Sequence, residues 1–229
     1  MIDRESGKIE EDVIKTSAGN LRIAFIGHGT LMFTFNDKVV HVDPVFGEAD
    51  YTRMPKADIV LVTHGHGDHL DLDAIAAIRK KTTEILTPAQ CASDVPGATS
   101  IANGESCTVY GIRIDAIPAY NILHKRPSGE PYHPRGEGNG YVIGFGNTRV
   151  YVAGDTENVP ETKALAEIDV AFLPMNLPYT MTPEMAADAA RTIRPAILYP
   201  YHFGETDTSE LVRLLAPEKD IDVRIRKME

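Results

Sequence analysis

Three histidines and an aspartate fall within one short stretch, Thr63-His64-Gly65-His66-Gly67-Asp68-His69. Imidazole nitrogens and carboxylate oxygens at this density, without sulfur, are the donor set of Zn²⁺ and also of Mn²⁺ or Fe²⁺. Alternate side chains of an extended segment share a face, so His64 and His66 point toward one ion. Gly65 and Gly67 leave room and permit a turn, after which Asp68 and His69 face a second ion beside the first. The chemistry such a pair supports is metal-assisted hydrolysis, in which water bound between the ions becomes a nucleophile. No Gly-x-Ser-x-Gly motif competes. Cys91 and Cys107 stand sixteen positions apart in no ligand or redox spacing and read as reduced thiols.

Such a cluster needs a rigid support, and Ile59-Val60-Leu61-Val62 immediately before it reads as a strand buried on both faces. Upstream, Val13–Thr16 and Leu21–Phe25 flank the turn Ala18-Gly19-Asn20, and Leu31–Phe35 and Val39–Val42 flank Asn36-Asp37. Downstream, Leu70–Lys81 reads as a helix closed by Arg79-Lys80-Lys81. Strands follow over Cys107–Pro118, Gly140–Phe145, Arg149–Ala153, Val170–Leu173 and Ile197–Tyr199, with helices at about Pro183–Thr192 and Thr208–Leu215. Residues 121–139 are polar and rich in Gly and Pro, a long loop of the kind that usually serves function. No short repeat is visible. Interleaved strands and helices with polar clusters at strand ends read as a layered α/β protein.

The chain has 229 residues, 43% hydrophobic and 24% charged, an ordinary globular composition most economically folded as one domain over residues 1–229. A formal net charge of −10 argues against nucleic acid as partner. Its basic clusters, Arg79-Lys80-Lys81 and Arg224-Ile225-Arg226-Lys227, read as solvated helix-end and tail charges. No apolar run is long enough to span a membrane, and the polar opening Met1–Ser6 carries no apolar signal region, so the expected location is the cytoplasm. The expected partner is a small-molecule substrate, with self-association into a homo-oligomer left open.

The segment Thr63–Asp71 resembles the HxHxDH signature of the metallo-β-lactamase superfamily. Ile26-Gly27-His28-Gly29-Thr30, His41-Val42-Asp43-Pro44, Ala153-Gly154-Asp155-Thr156, Leu173-Pro174-Met175-Asn176 with Tyr179-Thr180-Met181, and Pro200-Tyr201-His202-Phe203 are similar, in order, to further motifs of its ascorbate-phosphate-lactonase-like and uncharacterised metal-dependent hydrolase branch. The likeness runs from about Arg22 to Phe203. It implies a four-layer αββα sandwich with two Zn²⁺ ions at one edge. It further implies that His64 and His66 hold the first ion, that Asp68, His69 and His202 hold the second, and that Asp155 bridges them. Asp68 would also orient the nucleophile and carry its proton.

One position departs from the pattern. Where the branch carries a third histidine on the first ion, this chain reads Pro118-Ala119-Tyr120-Asn121. The replacement is Asn121 itself, His124, or His133, and His133 is the preferred reading because it lies just before the strand leading to Asp155. Asp43 is expected to accept a hydrogen bond from a metal-bound imidazole. His28 is expected to line the pocket, and Asn176, Tyr179 and Thr180 to shape specificity. The activity expected is hydrolysis of a small ester, lactone, amide or phosphoester. The rival is a mono-iron dioxygenase of the sulfur-dioxygenase type, which the same fold also hosts.

Overall fold

The computed structural model describes residues 9–229; the polar opening Met1–Ser6 lies outside them. Two seven-stranded sheets face each other. The first contains β1 (Glu10–Thr16), β2 (Gly19–Gly27), β3 (Thr30–Phe35), β4 (Lys38–Val42), β5 (Ile59–Leu61), β6 (Glu84–Thr87) and β7 (Thr99–Ser100) in that order. The second runs from β14 (Asp222–Val223) through β13 (Ile197–Tyr201), β12 (Val170–Pro174), β11 (Thr148–Val152), β10 (Gly138–Phe145) and β9 (Ile112–Ala119) to β8 (Ser106–Val109). The helices are α1 (Leu72–Ile78), α2 (Ala89–Ala92), α3 (Pro183–Ile193) and α4 (Thr208–Leu215).

Alternation along the strands makes the layers. Ile59 and Leu61 of β5 enter the core between the sheets, whereas Val60 and Val62 join Ile75 and Ile78 of α1 on the outer face. Between the sheets Phe33 of β3 packs on Phe145 of β10 and Phe172 of β12, with ring centroids 5.5 and 6.1 Å apart. Ala186, Ala187, Ala189 and Ala190 seat α3 on the far side. The arrangement is the αββα sandwich that the motifs imply.

Each sheet repeats one plan that no sequence repeat betrays. Four strands pair antiparallel (β1 to β4, β8 to β11), and three more continue parallel to the last of them. Parity then decides where the ends lie. β2, β4 and β5 share one direction, as do β9, β11, β12 and β13, so their C-terminal ends gather at one edge of each sheet. His28, Asp43, the cluster after β5, Asn121, Asp155 and His202 all follow such ends.

Several elements differ from the reading of the sequence. The helix expected over Leu70–Lys81 spans only Leu72–Ile78, because Asp71 caps it by accepting from the amides of Asp73 and Ala74 and Arg79 turns extended. Two of the basic residues beyond it are also tied to the protein: Lys80 reaches Asp58 at 2.7 Å, and Arg79 donates to the Pro96 carbonyl at 2.5 Å. Likewise Arg224 and Arg226 of the tail pair with Asp12 of β1. The strand expected over Cys107–Pro118 is a hairpin, β8 and β9, whose turn residues Tyr110 and Gly111 both have positive φ. The short strand β6 escaped notice because Glu84-Ile85-Leu86-Thr87 offers too few residues for a period.

His41 of β4 is fully buried, and its Nε2 donates to the Pro55 carbonyl at 3.0 Å. Burial holds its pKa down to about 4 against that hydrogen bond. The folded ring therefore stays neutral where an unfolded one would take a proton. Stability should be flat above the ordinary histidine pKa and fall as pH drops from ~6.5 toward 4, by an order of 3 kcal/mol from this residue. Denaturant titrations across that window should show a shallower acid slope for His41→Gln than for the parent, whatever the variant's baseline; equal slopes would refute the assignment.

Candidate metal centre

Thr63 is the pivot of the edge. Its amide and hydroxyl both donate to Asp43, at 2.7 and 2.6 Å, and its carbonyl accepts from the Asn139 amide of the opposite sheet. The chain beyond it turns, with the amides of His69 and Leu70 both donating to the His66 carbonyl. That turn swings His69 back beneath His64, whose ring centroid lies 4.1 Å from its own.

The imidazoles converge in two groups joined by an aspartate. His64, His66 and His133 form the first, with His64 Nε2 3.0 Å from His66 Nδ1. His28, Asp68, His69 and His202 form the second, with the Nε2 atoms of His69 and His202 3.1 Å apart. Asp155 lies between them. Its Oδ2 is 3.3 Å from His133 Nε2 and 3.4 Å from His202 Nε2, and its Oδ1 is 3.5 Å from His69 Nε2.

The structure thus brings together every residue expected at the ions, and sets His133 beside His64 and His66. Asn121 is close by in another capacity: its Oδ1 accepts from the His133 amide and Nδ1, at 2.8 and 2.7 Å. His124 is turned away, its Nδ1 on the Thr180 carbonyl and near Glu157. Asp43 accepts from His69 Nδ1 at 2.8 Å. His28 belongs to the cluster itself, its ring centroid 3.7 Å from that of His202 and its Nε2 3.2 Å from Asp68 Oδ2. Tyr179 contributes its carbonyl, which accepts from Asn121 Nδ2, while its ring packs edge-on against Tyr132. Asn176 lines a different, open depression of about 700 Å³ with Leu177, Glu205, Asp207 and Glu210.

Sequence reasoning passed over three supports. Gly29 is one: a Cβ there would stand 2.7 Å from His69 Cε1, so only glycine lets that ring approach. Gly154 is another, with φ +67° and the Asn139 carbonyl 2.8 Å from where its Cβ would be. The third is Glu157, buried behind residues 121–124, which nothing in a Gly-Asp-Thr-Glu turn distinguishes from a surface charge. His28, Asp43 and His202 all adopt left-handed backbone, near φ +47°, a conformation that non-glycine residues keep where surrounding structure enforces it.

Charge is distributed as a cation site requires. Burial and the neighbouring His69 hold His64 well below the ordinary histidine value, and His66 is lowered too, so both present bare nitrogens. His202, 3.7 Å away, and the hydrogen bond from His28 drive Asp68 far below the usual carboxylate range. Burial opposes ionisation of Asp155, yet His202, His69 and His133 hold it ionised. Burial likewise opposes charge on His69, but Asp155, Asp43 and Asp68 raise it to about 9; a proton there answers the same field that a dication would. Asp155 Oδ1 is buried without a hydrogen-bond partner. Nitrogen pairs 3.0 and 3.1 Å apart approach the roughly 3.3 Å that separates ligands on a tetrahedral ion. The residues present therefore fit metal ions.

Residues 22–202 match the family model described as the beta-lactamase superfamily domain. The chain belongs to that superfamily. A UPF0173 metal-dependent hydrolase of Methanopyrus kandleri is 31% identical over 227 residues, covering 91% of this chain and 97% of the relative. A crystal structure from Parabacteroides distasonis, assigned as a metal-dependent hydrolase, is 48% identical with TM-score 0.92 over 97% of this chain and all of that one. In fold alone the chain is also similar to a diiron beta-hydroxylase of Streptomyces venezuelae, at 18% identity and TM-score 0.69 over 96% of this chain and 54% of that one.

If ions draw these atoms together, His66→Ala and His69→Ala should each lower the metal retained after dialysis, and Asp155→Ala should leave less than one equivalent. His41→Gln should retain the parent's content. Elemental analysis checks this, and equal content in all four variants would sink the assignment.

Proposed function

We propose that this protein is a metal-dependent hydrolase of small carbonyl substrates, in which His64, His66 and His133 hold one ion, Asp68, His69 and His202 a second, and Asp155 bridges them. The observation that carries the reading is the pair of convergent donor groups sharing one buried, ionised aspartate. Zn²⁺ suits these donors, with Mn²⁺ and Fe²⁺ as alternatives. Ions bound there would lower the pKa of a shared water toward ~7 and polarise the substrate oxygen.

The chain's own residues arrange the rest. Asp68 is half exposed at the mouth, and His28 and His202 hold its carboxylate ionised, so it can orient the attacking water by accepting its hydrogen bond. Asp43 fixes the tautomer of His69, keeping Nε2 turned toward the centre. Beside the first group opens a cavity of about 230 Å³, a size that supports a small molecule rather than a polymer. Its wall includes Gln90, Cys91, Asp94 and Glu137, and none of its lining residues is Lys or Arg. That lining favours an ester, lactone or amide over a phosphoester, whose charge would call for a basic partner. The two unbridged cysteines agree with a cytoplasmic setting.

The fold's kinship with a diiron hydroxylase keeps one competing reading in view, oxidation with iron. The two readings ask different things of the ion. Hydrolysis needs a Lewis acid, so chelator-stripped protein should regain activity toward at least one small ester, lactone or amide with Zn²⁺ or Mn²⁺, under argon as in air. The rate should climb with pH through an apparent pKa of ~7. Activity with Fe²⁺ alone, with O₂ consumed in proportion to product, would replace hydrolase by oxygenase.

A further inference from the structure

The loop that delivers His133 is tied to the protein by one buried carboxylate. Glu157 accepts from the backbone amides of Ile122 and Leu123, both at 2.8 Å, from that of His124 at 2.6 Å, and from Asn121 Nδ2 at 3.2 Å. The carboxylate is itself placed by its own amide, which donates to the Tyr120 carbonyl at 3.0 Å. It sits two residues past Asp155, so a single turn supplies both.

The polarity of every bond from here to His133 is forced. A carboxylate that already faces four N–H groups only accepts, and so does the Tyr179 carbonyl, which lies 2.9 Å from the same Asn121 nitrogen. Nδ2 of Asn121 must therefore face both, which turns Oδ1 toward the loop's far end. There it meets the His133 amide, a donor only, and His133 Nδ1. An amide oxygen cannot donate, so Nδ1 must carry the proton, and in the neutral ring Nε2 is bare. That nitrogen is the one facing Asp155, His64 and His66.

We propose that Glu157 is a positioning residue for the first ion: acting through Asn121, it fixes the tautomer and aim of His133 so that Nε2 is presented as a ligand. The proposal rests on the ligand assignment above, but its first consequence holds without any metal. Asn121, which occupies the place of an expected ligand, becomes the coupling that lets a histidine twelve residues later do that work.

The experiment uses full-length protein with ¹⁵N-labelled histidine, and Glu157→Ala, Glu157→Gln and Asn121→Leu variants. Chelator-stripped samples are read by NMR at roughly pH 8.5, about two units above the ordinary histidine pKa. His133 should carry its proton on Nδ1 in the parent, and should populate the Nε2–H form in Glu157→Ala and Asn121→Leu. Competition with a zinc chelator should then show one of two bound ions released about tenfold more readily in both variants and the other unchanged. Glu157→Gln, which keeps one acceptor oxygen, should fall between. Should Glu157→Ala fail to fold, Asn121→Leu reads the same relay with Glu157 intact. A parent ring protonated on Nε2, or variants that keep both the Nδ1–H form and the parent's zinc affinity, would overturn the proposal. A tautomer that switches while zinc binding stays put would uphold the relay and remove His133 from the ligands.

Discussion

Asp155 sits at the seam of the two sheets, about one-twentieth exposed, with one carboxylate oxygen that receives no hydrogen bond. Four histidines from both sheets stand within 4.0 Å of it. An unpaired carboxylate in such a place would cost several kcal/mol, and bare imidazole nitrogens crowded against one another add to that cost. Positive charge at the centre relieves both at once. The surrounding structure is organised so that this charge is needed: neutral His64 and His66, ionised Asp68 and Asp155, and a His69 that keeps a proton to about pH 9 when nothing better is offered.

The doubled plan of the sheets explains how such a site can be assembled from residues nearly 180 positions apart. Strand parity sends the ends of β2, β4, β5, β9, β11 and β13 to one edge, and facing the sheets brings the two edges together. Neither half completes a donor group alone. His64 and His66 come from the first half, His133 from the second; His28, Asp68 and His69 from the first, His202 from the second. Backbone bonds across the seam, from the His202 amide to the His28 carbonyl and from the Asn139 amide to the Thr63 carbonyl, hold this register where the donor groups meet. Misalignment of the sheets by a fraction of a residue would separate the groups, so the apolar core between the sheets is what sets the geometry of the chemistry.

Each half also supplies a carboxylate behind a histidine, by different routes. Asp43 touches His69 directly. Glu157 reaches His133 only through an amide, because the loop of residues 121–137 must first leave the sheet and return. The direct pairing is stiff, anchored by two bonds from Thr63. The indirect one ties the loop to His133, so the wall of the cavity and the third donor of the first group share one support. Carboxylates in these outer positions matter to metal proteins because they select the ring nitrogen that stays bare.

Much of this was legible in the residues themselves. The cluster from His64 to His69 announces its chemistry because so many donors in so few positions have no other economical use, and buried β-branched runs mark β5 and β12 because only a strand covered on both faces reads that way. Asp43 could be singled out from its strand end, and His133 from the resemblance, which exposes the missing histidine at Asn121. What the residues could not disclose depends on distance through space. Glu157 looks like any surface glutamate until the loop folds over it, and Asn121 reads as a defective ligand until its two acceptors fix which way it points. His28 reads as a pocket-lining residue, and its contact with His202 waits on the second sheet. Local sequence determines what each residue can donate, accept or bury, since that is covalent chemistry. Which of those capacities is used was decided by tertiary structure, because a hydrogen bond or a ligand needs its partner within about 3 Å and only the packed sheets set that distance.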